Sequence, residues 1–142
     1  MVLRPDALRS RLLKLEEVIS GLEALLSRGA ARSQQQSDRW ALERGLQLGA
    51  EIVLDIGNHI LSAHFGVSAV DHEDVIAQLQ THSVLDEPER TRLRGLGGFR
   101  NILVHDYVRL DPSRVDDFAA RAPDDFSAFA RAVRRWMERD LR

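Results

Sequence analysis

Residues 8–26 read LRSRLLKLEEVISGLEALL, and their spacing decides the fold. Leu8, Leu12, Leu15, Ile19, Leu22 and Leu26 recur at steps of 4, 3, 4, 3 and 4. That rhythm keeps one apolar stripe on an α-helix of about seven turns and cannot line one face of a strand. Arg28-Gly29 ends the segment, and the polar run Ser33-Gln34-Gln35-Gln36-Ser37 joins it to the next.

The same pattern continues outward along the chain. Leu42, Leu46, Gly49, Val53, Ile56 and Ile60 form a second stripe, widened by Leu48, Ile52 and Leu54. They predict a helix from Ser37 to Ala63, about 40 Å long at 1.5 Å per residue, broken by Gly66. Asp71 with Asp74 marks a third start, followed by Val75, Ile76 and Leu79. Asp86-Glu87-Pro88-Glu89 combines a capping aspartate, a first-turn proline and a capping-box glutamate. The helix it opens is expected to carry Leu93, Leu96, Phe99, Ile102, Leu103 and Tyr107. Asp111-Pro112 predicts a short helix holding Val115 and Phe118. Pro123-Asp124-Asp125 predicts a separate last helix with Phe126, Phe129, Val133, Trp136 and Met137 inward. No strand alternation, long-period repeat or low-complexity tract interrupts this. The expected architecture is an all-α bundle in one domain over 1–142, with two long antiparallel helices and three or four shorter ones packed on them.

Composition narrows the function. Hydrophobic residues make up 44% and charged residues 30%, enough apolar surface for a core and too much for a disordered chain. The absence of cysteine excludes disulfides and thiolate metal sites and fits a cytoplasmic protein. Neither a secretion signal nor an apolar run long enough for a membrane span is expected. The net charge of −2 is not that of a generic nucleic-acid binder, so any contact with RNA must rest on local positive charge. Of the 20 basic residues only Lys14 is lysine, and arginine offers phosphate a fork that lysine lacks.

The chemistry concentrates in Gly97-Gly98-Phe99-Arg100-Asn101-Ile102-Leu103-Val104-His105-Asp106-Tyr107. Adjacent glycines within a helix cost about 1 kcal/mol each relative to alanine, and are kept where a backbone or ligand comes close. Asn101 and His105 are four apart and can share a face and a hydrogen bond; Arg100 and Tyr107, seven apart, align two turns apart. These groups suit RNA cleavage. A histidine near its ordinary pKa can take the 2′-hydroxyl proton, and an arginine fork can stabilise charge on the phosphoryl oxygens, with no metal or cofactor required. A histidine and an arginine near a helix end also serve as plain surface hydrogen-bonding groups. One chain moreover supplies one such histidine, whereas acid–base cleavage works best with two groups.

Other candidates carry less. His59 and His64 are five apart rather than four, and His-Glu-x-x-His is absent, so no metal site is expected. His72 and His82 sit near helix ends, where histidine is commonly solvated. Glu51, Asp55 and His59 form either a functional polar stripe or a structural salt-bridge or interface face. Arg131, Arg134, Arg135 and Arg139 read as a solvated helix face; Arg90, Arg92 and Arg94, just upstream of the motif, are better placed to face RNA.

Arg100-Asn101-Ile102-Leu103-Val104-His105-Asp106-Tyr107 resembles the Arg-x4-His-x-Tyr motif of HEPN proteins in the HepT-like branch. Leu48 to Gly57 resembles that family's long second helix, Leu96-Gly97-Gly98-Phe99 its lead into the motif, and Val108 to Asp111 its exit. The similarity runs from about residue 5 to 140. It implies homodimers whose motifs face each other in a composite cleft, so that His105 and Arg100 occur twice. It implies a metal-independent endoribonuclease toxin of a type II-like or type VII toxin–antitoxin system. Its partner would be an MntA-type nucleotidyltransferase, joined in a larger hetero-complex, that places AMP on the motif tyrosine. Carried over by position, Arg100 and His105 are catalytic, Asn101 supporting and Tyr107 the modification site. A non-catalytic helical subunit that docks to, or presents Tyr107 to, a nucleotidyltransferase is the alternative.

Overall fold

Helix α1 (Pro5–Ser27) opens with a proline in its first turn and buries the stripe Leu8, Leu12, Leu15, Ile19 and Leu22. Helix α2 (Gln36–Ile60) answers with Leu42, Leu46, Val53, Ile56 and Ile60 and passes into a single π-helical turn, Leu61–Phe65. Helix α3 (His72–Thr81) is capped by Asp71, whose carboxylate accepts the Asp74 N–H at 2.8 Å. Helix α4 (Glu87–Leu93) starts on the expected capping box between Asp86 and Glu89. Helix α5 (Leu96–His105), a 3-10 turn (Tyr107–Arg109) and helix α6 (Pro112–Asp140) complete the chain. The computed structural model describes residues 2–141. Among them there is no strand, and the fold is an all-α bundle.

Two boundaries differ from expectation. The helix opened by Asp86 was expected to run through the motif, but it stops at Leu93. Arg94 turns extended and Gly95 takes φ +87°, a left-handed conformation natural to glycine, before α5 begins. The motif helix is therefore a separate, ten-residue element free to lie across α2 and α3 while α4 packs on α6.

Residues 112–140, expected as two helices, form one helix of 29 residues with Pro123 inside it. An interior proline costs about 3 kcal/mol because it forfeits a hydrogen bond and crowds the preceding turn. The buried side chains Val115, Ala119, Ala122, Phe126, Phe129, Val133 and Trp136 keep helical phase straight across it. Burying each large one returns about 1.5–3 kcal/mol, which outweighs the proline. Asp125 does not help start a helix; it is buried and accepts from Arg92 of α4 at 2.9 Å, with Arg121 at 3.7 Å. Burial pushes its carboxyl above the ordinary range against the pull of those arginines. Three long helices, not two, thus form the frame, with α1 lying against both α2 and α6.

Polar ties fix the frame. Arg39 of α2 reaches Asp116 of α6 at 2.6 Å in a mostly buried pair and also donates to the Pro112 carbonyl. Arg134 binds Glu16, Arg135 binds both oxygens of Glu89, and Arg139 donates to the Ser83 carbonyl. Three members of the basic face of α6 are therefore solvated, as expected, and also tether elements together.

Candidate functional site

Helix α5 begins at Gly95, which has no side chain with which to cap it. The cap comes from α3. The Glu73 carboxylate accepts the N–H groups of Gly95 at 3.1 Å, Gly97 at 2.8 Å and Gly98 at 3.4 Å. A carboxylate there satisfies donors that the helix itself cannot and sits at the positive end of its dipole. Glu73→Ala should cost about 1–2 kcal/mol, read as a lower thermal midpoint, with Glu73→Gln losing less because one acceptor oxygen remains.

Gly97 makes the approach possible. A Cβ there would stand 2.6 Å from the His72 Cβ and 2.8 Å from the Glu73 backbone nitrogen. The first turn of α3 therefore lies directly on the first turn of α5, and the close-approach reading of this glycine holds. Gly98 points into open space.

One turn on, Arg100 faces α2. Its guanidinium stands 3.7 Å from the Glu51 carboxylate and donates to Asn101 Oδ1 at 3.4 Å. Glu51 is steadied by Gln47 at 3.1 Å. Arg100, Glu51, Asp55, Asn58, Leu54 and His72 line an open polar cleft of about 300 Å³. A larger cleft, about 560 Å³ between Arg32 and Asp117, holds none of the motif side chains. His105 is exposed at the last position of α5, and no described residue hydrogen-bonds its ring. Tyr107 is 70% exposed on the following 3-10 turn.

The structure brings Arg100, Asn101 and His105 onto one short helix, with Phe99 and Leu103 buried as expected. Three details change. Asn101 bonds not to His105 but to His72 Nδ1, at 3.1 Å. Tyr107 does not continue the helical line of Arg100, nor does it face the core, because the helix ends at His105. His72, read from sequence as a solvated helix-end residue, lines the Arg100 cleft; its sequence distance of 29 from Asn101 hid the contact.

Most of the remaining candidates make contacts within the fold. Asp55 pairs with Arg11 of α1 at 2.6 Å, His59 accepts the Arg4 N–H, and His64 meets Trp136 edge-on. His82 donates to the Gln78 carbonyl and tilts against Phe65. Arg90 bonds Gln80 and Arg92 bonds Asp125. Arg94 instead lines a groove with Arg114 and Arg121 beside the stacked rings of Phe99 and Phe118, 4.2 Å apart.

A family model described as ribonuclease HepT-like matches residues 15–133, which hold α2 through α5 and the whole Arg100–Tyr107 segment. The chain belongs to the HepT-like ribonuclease family. Among relatives of this HepT-like chain, the tRNA nuclease HepT of Aphanizomenon flos-aquae is 26% identical over 95 residues, which are 67% of this chain. The matched stretch spans only 65% of that relative's own length. The HepT-like fold recurs in solved structures. The tri-AMPylated Shewanella oneidensis HEPN toxin, solved in complex with an MNT antitoxin, superposes with a TM-score of 0.82 at 22% identity, over 93% of this chain and 99% of that one. YutE, a cytosolic protein of unknown function from Bacillus subtilis, gives 0.75 at 22% identity, over 99% and 96%. No described helix is long and apolar enough to cross a membrane.

Proposed function

We propose that this chain is a metal-independent endoribonuclease, the toxin of a toxin–antitoxin pair, with Arg100 and His105 as its catalytic residues and Asn101 in support. The observation that carries the reading is the placement of His105. Its imidazole stands exposed, with no hydrogen-bond partner among the described residues, at the end of the helix whose preceding turn presents Arg100 to a polar cleft. Family membership and a curated relative named as a tRNA nuclease support the same class of substrate.

In the proposed reaction the His105 imidazole accepts the proton of a ribose 2′-hydroxyl. The oxygen attacks the adjacent phosphorus, and the bond to the 5′-oxygen breaks. A 2′,3′-cyclic phosphate remains, and the departing 5′-oxygen takes a proton from an imidazolium. In a homodimer with the two motifs facing each other, the second copy's His105 supplies that proton. The Arg100 guanidinium donates to the phosphoryl oxygens as charge gathers on them. The neutralising partner is an MntA-type nucleotidyltransferase that transfers AMP to the exposed Tyr107 hydroxyl; solved relatives include a tri-AMPylated HEPN toxin bound to an MNT antitoxin.

The test joins two measurements. AMP-free protein, in the presence of a chelator, should cut RNA to fragments ending in cyclic phosphate, and its expression should arrest growth. Incubation with the cognate nucleotidyltransferase and ATP should add AMP at Tyr107, seen by mass spectrometry, and abolish cutting. Intact RNA together with normal growth would refute the nuclease. An unmodified Tyr107 in an otherwise silenced toxin would refute the AMP switch alone.

A further inference from the structure

Asn101 Oδ1 sits between Arg100 and His72. Arginine carries donors and no acceptor, so the Asn101 atom facing the Arg100 guanidinium at 3.4 Å must be its carbonyl oxygen. That assignment fixes which way the carboxamide points. The same Oδ1 lies 3.1 Å from His72 Nδ1. An oxygen that only accepts pairs with Nδ1 when that nitrogen carries a proton, which in a neutral imidazole is the Nδ1–H tautomer, the form a free imidazole disfavours in water. With Oδ1 engaged twice, the Nδ2 amide protons of exposed Asn101 are left without a partner among the described residues.

We propose that His72 is a positioning residue of the RNA site: its Nδ1–H, together with Arg100, locks the Asn101 carboxamide so that the amide protons face the substrate's oxygen acceptors. The local architecture fits the role. His72 is the first residue of α3, set against α5 at the side chain that Gly97 lacks, and its neighbour Glu73 grips the α5 N-terminus. One turn of α3 thus holds both the motif helix and the motif's amide. Phosphate and ribose oxygens are acceptors of the kind the freed N–H groups would bind.

The kinetic half of this inference rests on the ribonuclease reading; the tautomer does not, and the experiment separates them. Imidazole nitrogen shifts in the full-length protein should report Nδ1–H at His72, reverting to Nε2–H in Asn101→Ala. An Nε2–H His72 in the wild type overturns the proposal whether or not RNA is cut. In the cleavage assay His72→Ala should lower kcat by about 10-fold to 100-fold, the scale of a misplaced contact group. His72→Asn, whose amide nitrogen occupies the Nδ1 position, should restore most of the rate, and His72→Gln should not. Wild-type kcat in His72→Ala, or an Asn variant as slow as the alanine one, overturns it. A wild type inert on RNA yet Nδ1–H at His72 refutes the nuclease reading, and with it the substrate role assigned to Asn101.

Discussion

His105→Ala should lower the rate of RNA cleavage by about 10²–10⁴-fold while leaving the thermal midpoint unchanged. The first half follows from the usual contribution of a positioned acid–base group. The second follows from the exposure of His105 and its lack of hydrogen-bond partners among the described residues. Arg100→Ala should fall by about 10²–10³-fold, the cost of removing one donor to a developing oxyanion. Glu51 keeps its bond from Gln47 in that variant, so the fold should survive. Arg100→Lys should recover little, because a point charge cannot reproduce the fork. Expressed in cells, both alanine variants should no longer arrest growth. Single-turnover rates beside melting curves check both halves, and full activity in His105→Ala would remove that residue from the mechanism.

The second large effect concerns two neighbouring glycines with opposite expected signs. Gly97→Ala places a methyl 2.6 Å from the His72 Cβ and 2.8–2.9 Å from α3 backbone atoms. Backbone cannot swing aside as a flexible side chain can, so α3 and α5 must separate. The expected loss is about 1–3 kcal/mol, with cleavage reduced besides because Arg100 and Asn101 move with the helix. Gly98→Ala meets nothing within 4 Å and leaves the N–H to Glu73 in place. It should be neutral or stabilising by up to about 1 kcal/mol, the helix-propensity gain. Denaturant midpoints of the two variants, measured side by side, test the packing argument without any substrate.

The parts of the fold governed by local spacing were legible in sequence. The leucine stripe of α1, the Asp71 cap and the Asp86–Glu89 box each depend on residues within a few positions of one another. The errors came where a local signal met a distant partner. Pro123-Asp124-Asp125 has the chemistry of a helix start, yet Phe126 and Trp136 bury in phase with Val115, and Asp125 is claimed by Arg92 from another helix. Gly95 looked like one more residue of a long motif helix, because nothing nearby discloses that Glu73 supplies the cap for a new one. The candidate site shows the same division. Arg100, Asn101 and His105 lie within one segment and were found together. His72 and Glu73 reach that segment only through folding, across more than twenty residues of chain.

Because Glu73 secures α5 at its beginning and Leu103 is its last buried side chain, the helix is mounted like a cantilever whose final residue stands clear of the core. Its root is held between α2 and α3, and its tip carries His105 and Tyr107 into solvent. A second molecule, or an adduct on the tyrosine ring, can cover that tip without any buried side chain having to repack. Occupation of the tip can thus be gained or reversed with the core left standing.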